Sequence, residues 1–251
     1  MILKKWEDLP QSMQTDEVRK YYDILRKKKA SLFFKRVFDV VVSLLMLIIL
    51  SPLFLILAIA IKIDSRGPVF YRQVRVTQYN EKFRIFKFRS MVQNADRGSQ
   101  VTVGNDSRIT RVGKLVRKCR LDEISQLIDV LRGKMSFVGT RPEVPKYTAQ
   151  YTPEMMATLL LPAGITSIAS IMYKDEDALL DGVEDTDAVY VNTVLPAKMK
   201  YNLYAIEHFG FWSDIGTMFK TAFAILGKKY PEIDFGDEEK EEKKQEVSLN
   251  D

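Results

Sequence analysis

Only one cysteine, Cys119, and one histidine, His208, occur in the 251 residues. A lone cysteine rules out an internal disulfide and any CxxC zinc site. A lone histidine argues against Ser-His-Asp triads, H-E-x-x-H metal sites and most imidazole-based acid–base schemes. Chemistry is left to carboxylates, hydroxyls, Lys and Arg. Average hydropathy is near neutral, well below that of a multi-span membrane protein, so any membrane contact must be local.

The formal net charge is +5. Residues 231–251 are largely acidic with some Lys, a composition that cannot bury enough apolar surface to fold, and are expected to be a disordered tail. The rest of the chain is therefore more basic than the total suggests. Its partners should carry phosphate, whether nucleotide, nucleic acid or anionic lipid.

The longest apolar run is VFDVVVSLLMLIILSPLFLILAIAIKI, residues 37–63. As one straight helix it would reach roughly 40 Å, beyond the ~30 Å hydrocarbon core. It starts too late and runs too long for a signal peptide. Ser51-Pro52 interrupts it, and proline removes a backbone donor, so the helix should break there. Lys27, Lys28, Lys29, Lys35 and Arg36 precede the run, and Lys62, Arg66, Arg72 and Arg75 follow it. Two equally basic flanks favour one membrane face for both ends, hence a helix–break–helix hairpin; a single kinked span is the other solution. Asp39, just inside the run, is expected to sit beside Lys35 or Arg36 at headgroup depth.

Residues 69–89 are dense in aromatic, β-branched and basic side chains on both sides of a polar TQYN, which predicts two short strands and a turn, the second without clean alternation. Residues 92–107 read as a loop. Val112, Leu115, Val116 and Cys119 share one face of a predicted helix, with Cys119 as a small core residue. Ile124, Leu127, Ile128 and Leu131 mark a second helix that stops at Gly133. Asp122 and Glu123 are predicted in its first turn. Acids there commonly only complement the helix dipole. This pair differs in its setting: Arg108, Arg111, Lys114, Arg117, Lys118 and Arg120 lie within the fifteen preceding positions. A carboxylate in that field should stay ionised, as a nucleophile must. Residues 135–145 (MSFVGTRPEVP) predict a rigid exposed loop presenting Arg141. Residues 211–226 suit either an interfacial helix carrying Trp212, Phe219 and Lys220, or core packing.

Several ordered blocks now carry a resemblance: KRVFD at 35–39, SP at 51–52, GPVFYRQ at 67–73, KFRSM at 87–91, RLDEISQLIDVLRGKMSFVGTRP at 120–142 and PAGITS at 162–167. From about Lys35 to Leu226 the chain resembles the monotopic polyprenyl-phosphate phosphoglycosyl transferases, bacterial sugar transferases that initiate capsule, exopolysaccharide and glycan assembly. It departs from the usual pattern at Thr77 and Asn80, where glycines are common, at Ser125 and Thr140, where prolines are common, and at Asp129, where Asn is common.

The resemblance implies an α+β, mostly helical fold with a re-entrant membrane helix broken at Ser51-Pro52, a small β-hairpin and amphipathic interfacial helices. It divides the chain into an N-terminal cytoplasmic extension (1–34), the re-entrant helix (35–66, including Lys35, Arg36 and Asp39), a catalytic domain (67–230) and the charged tail (231–251). It implies transfer of a phospho-sugar from a UDP-sugar to undecaprenyl phosphate, releasing UMP through a phosphosugar ester of Asp122. Glu123 would assist and hold Mg²⁺. Arg89, Arg111 and Arg141 would contact phosphate or nucleotide. The location implied is the cytoplasmic face of the bacterial inner membrane, with no nucleic-acid partner and with a homo-oligomer left open. The rival from another class is a membrane-anchored basic scaffold or nucleic-acid-binding protein without catalysis.

Overall fold

The computed structural model describes residues 3–92, 108–174, 185–233 and 235; the expected loop at 92–107 and the acidic tail lie almost wholly outside these residues. The described part is mostly helical, with two small two-stranded sheets.

Helix α1 (Asp16–Lys27) is capped by Thr15, whose hydroxyl accepts from Val18 N, and carries acids in its first turn and Arg26 and Lys27 in its last. Val18, Tyr21, Tyr22 and Leu25 form its buried stripe. They pack with Leu9, Met13, Val76, Leu160, Ile206 and Phe209, so residues 3–28 share a core with the body of the protein.

Helices α2 (Lys29–Ile49) and α3 (Ser51–Asp64) follow, bent by 61° about Leu50. Among the described residues no single helix is long and apolar enough to cross a membrane, but this bent pair together has the length and composition. The break has a clear origin. Pro52 cannot donate to the carbonyl of Ile48, and Ser51 Oγ does so instead, at 2.8 Å. Helix α2 has inverted polarity: Leu32, Lys35, Asp39 and Ser43 are buried, while Phe34, Val41, Leu45 and Ile48 are exposed.

The predicted hairpin is present. Strands β1 (Phe70–Thr77) and β2 (Glu81–Phe88) pair antiparallel from Phe70↔Phe88 to Thr77↔Glu81. Its turn places Tyr79 (φ 58°) and Asn80 (φ 60°) in the left-handed region. Asn tolerates that conformation; Tyr79 does so at a cost, and its hydroxyl, accepting from Lys4 N, ties the turn to the N-terminal segment.

Helix α4 (Arg111–Lys118) stops at Cys119. Val116 is buried, but Leu115 and Cys119 are exposed, so Cys119 does not belong to a core face as expected. A one-turn 3₁₀ segment (Ile124–Gln126) leads into α5 (Leu127–Leu131), which ends before Gly133 at φ 78°. Residues 135–138 are no loop: Met135–Val138 form a fully buried strand, β3. After α6 (Pro145–Thr148), β3 pairs in parallel with β4 (Ala163–Thr166). The two backbones touch where glycines stand, since a Cβ on Gly164 would lie 2.1 Å from Gly139 N. Thr77 Oγ1 donates to Lys134 O and accepts from Ala163 N, joining the hairpin to this second sheet. Helices α7 (Ile168–Met172), α8 (Thr186–Val189), α9 (Leu195–Glu207, entered through a π-turn) and α10 (Phe211–Ile225) complete the body.

Candidate active site

The site is built on the edge of β2 that faces away from β1. Alternate residues of an edge strand leave their backbone N–H and C=O unpaired, and these must find partners. Here the segment 122–129 supplies them. Phe88 N donates to Asp122 O (3.0 Å), Phe86 N donates to Asp129 Oδ2 (2.8 Å), and Ser125 Oγ donates to Phe86 O (3.0 Å). The acid pair is thereby bolted to the strand. Asp122 and Glu123 precede the 3₁₀ turn rather than occupying the first turn of a helix; the chain reaches them through Arg120 at φ 54°.

Lys87 Nζ and Arg141 NH2 converge on one atom, Glu123 Oε1, at 3.1 and 2.6 Å. Burial alone would raise the Glu123 pKa, but attraction and hydrogen bonds from Arg141 and Lys87 outweigh it and hold this carboxyl well below the usual range. Asp122 behaves differently. Burial pushes its pKa up and the Glu123 charge adds to that, while Lys87 and Arg117 oppose it. Of the cations expected to keep Asp122 ionised, Arg117 does act on it, and Lys87, from β2, opposes burial more strongly. Lys87 itself is pushed down by burial and by Arg141, and pulled back by Glu123 and Asp122. Two adjacent acids with pKa values driven apart, sharing one lysine, have the electrostatic character of a reactive site.

Of the basic residues singled out in the sequence, Arg141 joins the acids and two do not. Arg89 is buried and its guanidinium donates to Ser65 O, Ser65 Oγ, Arg66 O and Ile61 O, capping the C-terminal end of α3. Arg111 is exposed at the start of α4, near Asp64, whose carboxylate accepts from Val112 N. Lys87 was not singled out, although the alternation offered a signal: it shares the inward face of β2 with Phe83 and Ile85, where a lysine needs a partner.

Asp39 of the apolar run, and Lys35 and Arg36 just before it, find partners within the protein. Asp39 Oδ1 accepts from Ser136 Oγ (3.1 Å) and Phe137 N (3.2 Å). Lys35 Nζ donates to Val138 O (2.7 Å) and Asp214 Oδ2 (2.5 Å). Arg36 donates to Val130 O and Leu131 O, capping α5. The bent helix pair is therefore fixed to β3, to α10 and to the helix that follows the acid pair.

Among the described residues no three Asp, Glu, His or Cys side chains converge as a ready-made metal cage. Asp122 and Glu123 offer two carboxylates, with both ion pairs of Glu123 on Oε1. That donor set suits Mg²⁺, which keeps several waters and takes only one or two carboxylates beside substrate phosphates.

Comparison with known proteins gives a family model described as bacterial sugar transferase, matching residues 30–228. The UDP-N-acetylgalactosamine-undecaprenyl-phosphate N-acetylgalactosaminephosphotransferase of Aeromonas hydrophila is 36% identical over 198 residues, 77% of this chain and 44% of the relative. The UDP-glucose:undecaprenyl-phosphate glucose-1-phosphate transferase of Klebsiella pneumoniae is 36% identical over 199 residues, 77% of this chain and 40% of the relative. A protein of the latter description from Caulobacter vibrioides is 32% identical over 197 residues, 76% of this chain and 69% of the relative. The chain thus spans less than half the length of the Aeromonas and Klebsiella proteins.

Proposed function

The chain belongs to the bacterial sugar transferase family, and on that premise we propose that it transfers a sugar phosphate from a UDP-sugar to undecaprenyl phosphate. The observation that carries this reading is the convergence of Lys87 and Arg141 on Glu123, directly beside Asp122. In the reaction we infer, an Asp122 carboxylate oxygen attacks the phosphorus next to the sugar. The bond from that phosphorus to the bridging oxygen breaks, UMP leaves with the bridging oxygen and its electron pair, and a phosphosugar ester remains on Asp122. An oxygen of the lipid phosphate then attacks the same phosphorus and frees the carboxylate.

Both substrates are polyanions and so is the nucleophile. Lys87 opposes the protonation of Asp122 that burial favours, and Arg141 with Lys87 offsets the negative charge gathered at the site. Glu123, fully ionised, would hold Mg²⁺, which supplies electrostatic stabilisation of phosphate oxygens. The relatives' names cover both N-acetylgalactosamine and glucose donors, so the reading extends to a UDP-sugar as a class.

We further read α2 and α3 as a re-entrant hairpin on the cytoplasmic face of the inner membrane. Helix α2 buries polar side chains and exposes apolar ones, as a segment surrounded by lipid would. Trp212, Phe219, Phe223, Ile225 and Leu226 are also exposed on or just beyond α10, which suits a helix lying in the interface. The hairpin would hold the acid pair at the depth of the lipid phosphate. A nucleic-acid scaffold would instead turn its cations outward, whereas Lys87 is directed to a half-buried acid.

The test is UMP release from a panel of UDP-sugars by protein in bilayer nanodiscs containing undecaprenyl phosphate. Release is expected with at least one donor, to stop on chelation of Mg²⁺, and to be lost in Asp122→Asn while the protein remains in the disc. Turnover by Asp122→Asn refutes the reading.

A further inference from the structure

Lys87 reaches Glu123 from the last but one position of β2, between two residues that the acid-bearing segment holds. On one side Phe88 N is bound by Asp122 O. On the other, both free backbone groups of Phe86 are taken by side chains: its N–H by Asp129 Oδ2 and its C=O by Ser125 Oγ. Ser125 and Asp129 are themselves buried, at 0% and 2% exposure, so water cannot substitute for either. Ser125 Oγ also lies 3.3 Å from Asp122 O, which places one hydroxyl between the strand and the acid-bearing residue.

These contacts do more than close a sheet edge. A β-strand carries successive side chains to opposite faces, so shifting or twisting residue 86 changes the aim of residue 87. The Phe86 ring is also held, with Arg72 stacked 3.4 Å from its centroid and Arg132 at 5.5 Å. The same two guanidiniums are the charges that face Asp129, one from β1 and one from the end of α5. Phe86 is therefore fixed through backbone and ring, with Lys87 as the next residue.

We propose that Ser125 and Asp129 are positioning residues for the transfer reaction: together they form a side-chain clip on Phe86 that sets the aim of Lys87 onto Glu123 and Asp122. The clip rests on the transferase reading for its consequence in catalysis, but its geometry is testable apart from it. Lys87 is the moving part. Its side chain is 20% exposed and ion-paired, against 61% for Lys20 of α1, which is ion-paired to Glu207.

The experiment uses full-length protein in nanodiscs, as Ser125→Ala, Asp129→Ala and Asp129→Asn. Each is treated briefly with acetic anhydride, and acetylation of Lys87 is followed by peptide mass spectrometry with Lys20 as internal reference. Releasing the clip should raise the Lys87 rate relative to Lys20 by at least about threefold in both alanine variants, because the Lys87 amine loses its partner. Asp129→Asn keeps an acceptor for Phe86 N–H and should return the rate to that of the unmodified protein. In the UMP assay the alanine variants should lose about tenfold to a hundredfold in kcat, with KM for the donor changed less than threefold; Asn at 129 should restore kcat. An unchanged Lys87 rate in a folded alanine variant overturns the proposal, as does an Asp129→Asn variant as impaired as Asp129→Ala. If Asp129→Ala does not fold, Ser125→Ala decides on the same readout. If no donor is turned over by the parent protein, the transferase reading fails, and the acetylation result still decides whether the clip aims Lys87.

Discussion

Replacing Lys35 with methionine removes one ammonium from a nearly closed site and leaves its partners behind. Lys35 is 4% exposed at its side chain and Asp214 16%. The substitution keeps the length and the apolar stem but strips the donor from Val138 O and from Asp214 Oδ2. Breaking a buried pair by removing one partner costs about 3–5 kcal/mol, most of it from the charge left unpaired. Asp214 keeps some contact with water, which places this case near the lower end, at about 3 kcal/mol. For a body of this size that corresponds to a fall in Tm of roughly 6–12 °C. Removing both charges, in Lys35→Met with Asp214→Leu, should recover part of that loss, since the Asp214 charge is then not orphaned, while the buried Asp39 beside Lys35 keeps its bonds from Ser136 and Phe137. Thermal unfolding of detergent-purified single and double variants measures this directly. A single variant within about 1 kcal/mol of the parent would refute the claim that this pair fixes the bent helices to the body, as would a double variant no better than the sum of the singles.

Asp129 gives a pH-dependent prediction. Burial raises its pKa to about 6, against the Phe86 N–H bond and the two guanidiniums that lower it. A folded-state value above the unfolded one means that the native state binds the extra proton, so this group favours folding at low pH and loses that contribution as pH rises from about 4 through about 6. Asp129→Asn should therefore raise Tm relative to the parent at pH 8, by a smaller amount at pH 5 and by little at pH 4; melts across that range check it. Gly164→Ala would force a Cβ to 2.1 Å from Gly139 N, backbone against backbone, and no folded protein should accumulate on expression. Leu25→Ala should cost about 2–5 kcal/mol in thermal or denaturant unfolding, because Leu25 is fully buried in the core that joins residues 3–28 to the body. A loss below 1 kcal/mol there would mean that α1 is only loosely attached.

What the sequence reveals divides along physical lines. The β1–β2 hairpin is local and dense in aromatic and β-branched residues, so its strands and turn can be read directly, including an Asn suited to positive φ. The acid pair stands out because cations gather before it in the chain, and Arg141 because Gly139, Pro142 and Pro145 mark a rigid segment around it. The β3–β4 pair does not, because its strands are four residues long, lie far apart in sequence and are buried on both faces, leaving no alternation to detect. Arg89 looks like a phosphate ligand by type and neighbourhood, yet the carbonyls at the end of α3 claim it. Lys35 and Asp39 sit one helical turn apart and so share a face, but whether that face meets headgroups or protein depends on Ser136, Phe137 and Asp214, about 100 or more residues away. The role of Lys87 required the register of β2 against residues 122–129, which side-chain hydrogen bonds set rather than any periodic pattern.

The most direct trial of the mechanism is to mix the protein in nanodiscs with a donor it turns over, withholding undecaprenyl phosphate, quench in seconds and map the peptides by mass spectrometry. The account predicts the added mass of one phosphosugar on Asp122, absent from Asp122→Asn and discharged when the lipid phosphate is supplied. Full turnover with no such adduct on Asp122, or with the adduct on another residue, would contradict it.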